Sequence, residues 1–306
     1  MINWEKILKD TDISLNAIDI GCSGFRPHQW DRLGSQINYF GIDPLESEIK
    51  KLALENHLNS KYVSGFVSSP GGNFSADEGT QYFFNRSSAF HDMNNGFDLV
   101  KENFNSGQDV VYSDKKYSMD ELIRESGFEN VDLLKIDVDG DDYPLLLAFS
   151  NTNASNSILA LDIESQFHGN DDKFGNTFTN ISIKAKELGL HLFDIETFKY
   201  SRKALPAPYV HNFPAQTISG QVLWADSVFM RDSLELNETK SLIKLAALYD
   251  VYGLPDCAFE LLQYHAEKLI SSIPVTEIQH ELIRAQTDSQ QKRLGIFKRI
   301  SKKIMK

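Results

Sequence analysis

Residues 131–147 read VDLLKIDVDGDDYPLLL, and this stretch constrains the fold more than any other. Val131, Leu133, Leu134, Ile136 and Val138 form a short, nearly continuous apolar run, the pattern of a strand buried on both faces of a parallel sheet. Asp137, Asp139, Asp141 and Asp142 crowd its end, with Gly140 among them. Open α/β sheets bind ligands in the crevice at the carboxyl ends of their strands, so a buried strand that delivers acids there predicts a site. Asp141 and Asp142 are accounted for by the start of a helix led by Tyr143 and Pro144, where acids suit the helix dipole. Asp137 sits inside the apolar run and has no such explanation.

A strand-and-turn unit near the start points the same way. Ala17–Ile20 is predicted as a strand that breaks into Gly21-Cys22-Ser23-Gly24, with Asp19 just before the turn. Such a turn lets backbone approach a ligand closely and presents free N–H groups at the start of a helix. The next strand, Asn38–Ile42, ends in Asp43, 22 positions after Gly21. That is close to the roughly 20-residue spacing at which an acid meets ribose hydroxyls in nucleotide-binding βαβ units. An N-cap would explain Asp43 alone; turn and acid together favour nucleoside binding.

The remaining pattern predicts a helix over Glu46–Asn59, a strand over Lys61–Val67 with Gly65 near its end, and a glycine-rich loop over 70–79. An edge strand follows at Thr80–Asn85, then a polar stretch, His91–Gly107, that reads equally as a lid or a surface excursion, then a strand at Asp109–Tyr112. Ser118 and Glu121 are spaced as a capping box opening a helix. Ser157–Glu164 is a further parallel-type strand that carries Glu164, then Phe167-His168-Gly169, to the same sheet edge. A helix over Thr179–Leu188 closes at Gly189, and strands over His191–Ile195 and Gln221–Met230 flank a Pro-rich loop holding Arg202, Lys203, Tyr209, His211 and Phe213.

With 306 residues and a 41% hydrophobic, 24% charged composition, the chain predicts one large core with an appendage: residues 1–234, then 235–306 as a helical hairpin around Gly253-Leu254-Pro255 and a tail. A net charge of −12 argues against nucleic acid as a partner. Two cysteines, Cys22 and Cys257, and an N-terminus without an apolar core suit the cytoplasm. Residues 291–306 carry seven Lys and Arg beside Leu294, Ile296, Phe297, Ile300 and Ile304. They are read either as a helix lying on the inner face of an anionic membrane or as a solvated tail. Assembly into a homo-oligomer is left open.

The segments NAIDIGCSG, YFGIDP, SMDELIRESGFENVDLLKIDVDGDDYPLL, ILALDIESQF, LGLHLFDI and GQVLWADSVFMRD, in that order over residues 15–232, resemble the FkbM family of S-adenosylmethionine (SAM) methyltransferases. The resemblance implies an α/β class I methyltransferase (Rossmann-like) fold, a seven-stranded, mostly parallel sheet whose last strand is antiparallel. It implies SAM as cofactor and O-methylation of a hydroxyl, often on a sugar of a glycan, glycolipid or natural product. By position, Asp19, Gly21, Ser23 and Gly24 would line the methionine end of SAM. Asp43 would hold the ribose, the turn Ser64, Gly65, Phe66 would lie by the adenine, and Asp137 would sit beside the methyl donor. Ser23 stands where many methyltransferases have a second glycine, and Asp142 where the family more often has Glu.

Methyl transfer from a sulfonium is an in-line displacement, so the protein supplies alignment and removal of the acceptor proton. His168, beyond a strand that carries Glu164, is one candidate base. The rival is Mg²⁺ held by Asp137, Asp139 and Glu164, which would polarise the hydroxyl. Two other classes compete with the methyltransferase. An NAD-type sugar oxidoreductase or epimerase is weakened by the lack of G-x-G-x-x-G and of a Tyr-x-x-x-Lys pair; a non-catalytic scaffold with a vestigial cofactor site would reveal itself by failing to bind SAM.

Overall fold

The structure, a computed structural model, describes residues 2–24, 26–55, 57–68, 112–138, 141–167, 175–200 and 220–287. The elements expected over 70–107, the loop holding Arg202 to Phe213 and the basic tail lie outside the described residues. The chain divides into two compact units: residues 15–26 with 38–232, and residues 1–14 with 27–37 and 233–306.

The larger unit is built on strands β1 (Leu15–Ile20), β2 (Ile37–Asp43), β3 (Ser60–Ser64), β6 (Leu133–Ile136), β7 (Ala160–Gln166), β8 (Leu190–Tyr200) and β9 (Gln221–Arg231), in the order β3-β2-β1-β6-β7-β9-β8. Neighbours from β2–β3 to β6–β7 run parallel wherever their register is given, whereas β9 is antiparallel to both β7 and β8. This is the expected mostly parallel α/β sheet of the class I methyltransferase fold, with its last strand inserted antiparallel. Alternate residues of these strands, among them Ile18, Ile20, Phe40, Ile42, Leu134, Ile136, Leu161 and Ile163, form one core. Helices α3 (Met119–Ser126), α4 (Asp142–Ser150) and α5 (Phe178–Glu187) add Leu122, Leu146, Phe149 and Ile181 to it. α3 begins with the capping box expected at Ser118 and Glu121 and ends at Gly127 in a left-handed conformation (φ 77°).

Three local expectations are corrected. The strand predicted over Lys61–Val67 is two: β3 pairs with β2, then β4 (Phe66–Val67) pairs with β5 (Lys116–Tyr117). Gly65 stands between the two, where a Cβ would lie 2.6 Å from the Tyr117 ring. The helix predicted over Glu46–Asn59 is α2 (Glu46–Leu54), and the chain turns back into β3 through Asn59 at φ 54°. Finally, the glycine turn after β1 leads not into an α-helix but, past Pro27, into 3₁₀ turns over His28–Gln36 that Gly34 (φ 55°) breaks.

The smaller unit gathers α1 (Trp4–Asp10), those 3₁₀ turns, α6 (Thr239–Val251), α7 (Pro255–Tyr264), α8 (Ala266–Leu269) and a helix over 275–287. Its centre is α6, in which every residue from Leu245 to Val251 is buried. Asp250 on α6 accepts a hydrogen bond from Trp4 Nε1 (2.8 Å) and is ion-paired with Arg32. Trp30 Nε1 donates to the Tyr252 hydroxyl (3.0 Å), and Glu5 accepts from the backbone and hydroxyl of Ser35 (2.9 and 2.8 Å). No helix among the described residues is long and apolar enough to cross a membrane.

Candidate active site

The carboxyl ends of β1, β2, β3, β6 and β7 bring most of the predicted residues to one edge of the larger unit. β1 ends at Ile20, and Gly21 (φ 87°) turns the chain so tightly that a Cβ there would lie 1.8 Å from the carbonyl oxygen of Asp137. Only glycine satisfies both the conformation and the gap. The N–H groups of Gly21 and Cys22 were expected to be free for a ligand; both donate instead to the carbonyl of Ile42 (2.9 and 3.2 Å). The turn is thereby fastened to the end of β2. Gly24 (φ 92°) has nothing among the described residues within 4 Å of where a Cβ would be.

Asp43 ends β2 and is 5% exposed. One of its carboxylate oxygens accepts from Leu45 N (2.8 Å), and Ser23 hydrogen-bonds to it as well. Burial nevertheless outweighs these bonds and pushes its carboxyl up to about 6. Its carbonyl accepts from Gly65 N (3.1 Å), which sets the Ser64, Gly65, Phe66 turn next to it. Ser64 Oγ is buried without a hydrogen-bond partner among the described residues, and the Phe66 ring faces that of Tyr112 at 6.4 Å. An acid beside an unpaired hydroxyl, a close-approach glycine turn and an aromatic ring are groups that fit an adenosine-bearing cofactor.

Asp137 is the first residue after β6 and its N–H donates to Ile20 O (2.9 Å). Its side chain is 46% exposed and accepts a hydrogen bond from Lys135 Nζ (2.9 Å). Asp19, by contrast, is 1% exposed: its carboxylate accepts from the Tyr39 hydroxyl (2.7 Å) and lies 3.7 Å from Lys135 Nζ. Burial raises its pKa above the usual carboxylate range, against the pull of Lys135 and Tyr39. Cys22 is buried 2.8 Å from where a Gly41 Cβ would stand, and desolvation, with Asp19 and Asp43 adding, drives its thiol far above the ordinary range.

Asp142 is more than a helix-start acid. It is fully buried, accepting from Val138 N (2.9 Å) on one oxygen and from Asn176 Nδ2 (2.7 Å) on the other, while Asn176 Oδ1 accepts from Tyr143 N (3.1 Å). This ties the loop after β6 to the segment after β7. Glu164, 8% exposed on β7, is opposite Asp226 on β9, which is opposite Glu196 on β8. Burial of its carboxyl, together with Asp137 and Asp162, pushes Asp226 up to about 7, although the residue keeps exposed surface. Beyond that row, Phe198 and Trp224 stack at 5.2 Å.

Asp139 and His168 lie outside the described residues. The expected Mg²⁺ set includes Asp139 and so lies partly outside the described residues; among the described residues no group of three or more His, Cys, Asp or Glu is placed to hold a metal ion. Beside Asp137 the cation is the ammonium of Lys135. Sequence reasoning passed over Lys135, Tyr39, Asn176 and Asp226. Lys135 did leave a signal, as the one charged residue inside the apolar run LLKI; Asn176 left none.

No protein-family model and no curated protein matches the chain. Among solved structures, it overlaps a TehB-like SAM-dependent methyltransferase from Corynebacterium glutamicum (14% identity, 76% of this chain and 89% of that one, TM-score 0.27). It also overlaps a SAM-dependent methyltransferase from Aquifex aeolicus (10% identity, 74% and 89%, TM-score 0.26). At such overlap these structures add no weight to what strand order and site residues say.

Proposed function

We propose that the chain is a SAM-dependent O-methyltransferase of the FkbM type, acting on a hydroxyl of a saccharide carried by a surface polysaccharide, a glycolipid or a glycosylated natural product. The observation that carries this reading is the convergence of three strand ends: the Gly21 turn, buried Asp43 and half-exposed Asp137 meet at one edge of a sheet with the antiparallel β9 insertion. When bound, SAM supplies an electrophilic methyl group on a sulfonium. Asp43 accepts hydrogen bonds from the ribose hydroxyls, and the Ser64–Phe66 turn borders the base. Asp137 offers a carboxylate to the cationic end, and Glu164 and Asp226 line the neighbouring side where a polar, hydroxyl-bearing acceptor enters. An acceptor proton leaves to a base at that side; Asp226, with a carboxyl poised near 7, and His168 are the candidates.

Isothermal titration with SAM and with its demethylated product tests the reading. Micromolar binding that Asp43→Ala weakens severalfold or more is expected, and no binding of either ligand at millimolar concentration would sink it. The basic tail is proposed to rest the enzyme on the cytoplasmic face of a membrane. Co-sedimentation with anionic but not neutral vesicles, lost on deleting residues 291–306, is the expected result; equal binding to both vesicles refutes it.

A further inference from the structure

Lys135 occupies an unusual position for a cation that sequence patterns would place in a strand core. On β6 it is in register with Asp19 of β1 on one side and Asp162 of β7 on the other. Its ammonium is 2.9 Å from Asp137 and 3.7 Å from Asp19, and its side chain is only 19% exposed. One fixed positive charge therefore faces carboxylates from the two neighbouring strands and from the end of its own, at the edge where the Gly21 turn and Asp137 meet.

The consequence follows from charge alone. A sulfonium donor carries a positive charge at sulfur that its demethylated product lacks. Any fixed charge beside the sulfur therefore binds the two differently, whereas a packing or folding contribution affects them alike. A bare pair of carboxylates there would favour the sulfonium ground state. Interactions stronger in the ground state than in the transition state, where that charge is being discharged, raise the barrier instead of lowering it.

We propose that Lys135 is a positioning residue that sets the charge presented to the methyl donor: it ties down one oxygen of Asp137, leaves the rest of that carboxylate open to the edge, and offsets the acids around it so that donor and product are held on comparable terms. The proposal rests on the SAM reading above. It makes Lys135 the electrostatic counterweight of this acidic strand end.

Titration calorimetry of the full chain with SAM and with the demethylated product tests it, on wild type, Lys135→Met, Lys135→Arg and Asp137→Asn. The expected readout is the ratio of the two dissociation constants. Lys135→Met should shift that ratio toward SAM by about fivefold or more, Asp137→Asn should shift it toward the product, and Lys135→Arg should keep it near wild type. Equal weakening of both ligands in Lys135→Met, or an unchanged ratio in Asp137→Asn, overturns the proposal. Should Lys135→Met fail to fold, as judged by its thermal transition, Lys135→Gln removes the same charge with a polar side chain and is held to the same expected shift toward SAM, an unchanged ratio again overturning the proposal. If wild type binds neither ligand, the SAM reading falls and takes the proposal with it.

Discussion

Asp43 concentrates the site's chemistry into one side chain, and its burial gives it a pH signature. A carboxyl raised to about 6 is protonated over much of the range below that value and then loses acceptor strength toward hydroxyls. Affinity for an adenosine-bearing ligand is therefore expected to fall as pH drops through about 6, and Asp43→Asn should flatten that dependence; titrations between pH 5 and 8 measure both. The stability sign follows from the same shift. Because burial favours the protonated form, the contribution is present below about 4, the ordinary aspartate value, and is lost as pH rises through about 6. At this scale the sequence was informative about Asp43 and Asp137, whose spacing and setting in apolar runs are visible in one dimension. It was silent on Tyr39 and Asn176, because a hydrogen bond between residues 20 or 34 positions apart leaves no periodic trace.

At the scale of elements, the site depends on how tightly the turns after β1 and β6 abut. Gly21→Ala would place a methyl group against the Asp137 carbonyl in a conformation that L residues rarely adopt. A loss of more than about 3 kcal/mol is expected, read as a lower thermal midpoint together with weaker ligand binding. A variant of wild-type stability would contradict the tight abutment. Strand positions and the capping box at Ser118 were legible because apolar runs and N-cap chemistry are local. The break at Gly65 and the end of α2 were not. The first goes with a change of partner, from β2 to strand β5 about 50 residues further on, and the second with where β3 begins to pair with β2.

At the scale of the whole molecule, the smaller unit is drawn from three separate stretches, so single contacts hold distant parts of the chain. Asp250 is the clearest: it serves Trp4 and Arg32 at once. Asp250→Ala leaves an indole N–H without its acceptor and strips the Arg32 guanidinium of its carboxylate, leaving it only the backbone carbonyl of residue 250 (2.7 Å), and is expected to cost about 2–4 kcal/mol in denaturant unfolding. A change under about 1 kcal/mol would mean the contact is dispensable. The helical character after Asn237 was legible from its pattern; that α6 has nearly no polar face, and so must be enclosed, became clear only with Trp4 and Arg32 set against it.

The placement of β9 also dictates an order of events during synthesis. β7 lies inside the sheet, and its partner on one side is a strand that the ribosome delivers 55 residues after β7 ends. Until Gln221–Arg231 has emerged, β7 presents a bare hydrogen-bonding edge, and β8 has no strand to join. A nascent chain halted before Gln221 should therefore resist proteolysis little better than an unfolded one and be prone to edge-to-edge association, with protection appearing in one step once β9 slots home.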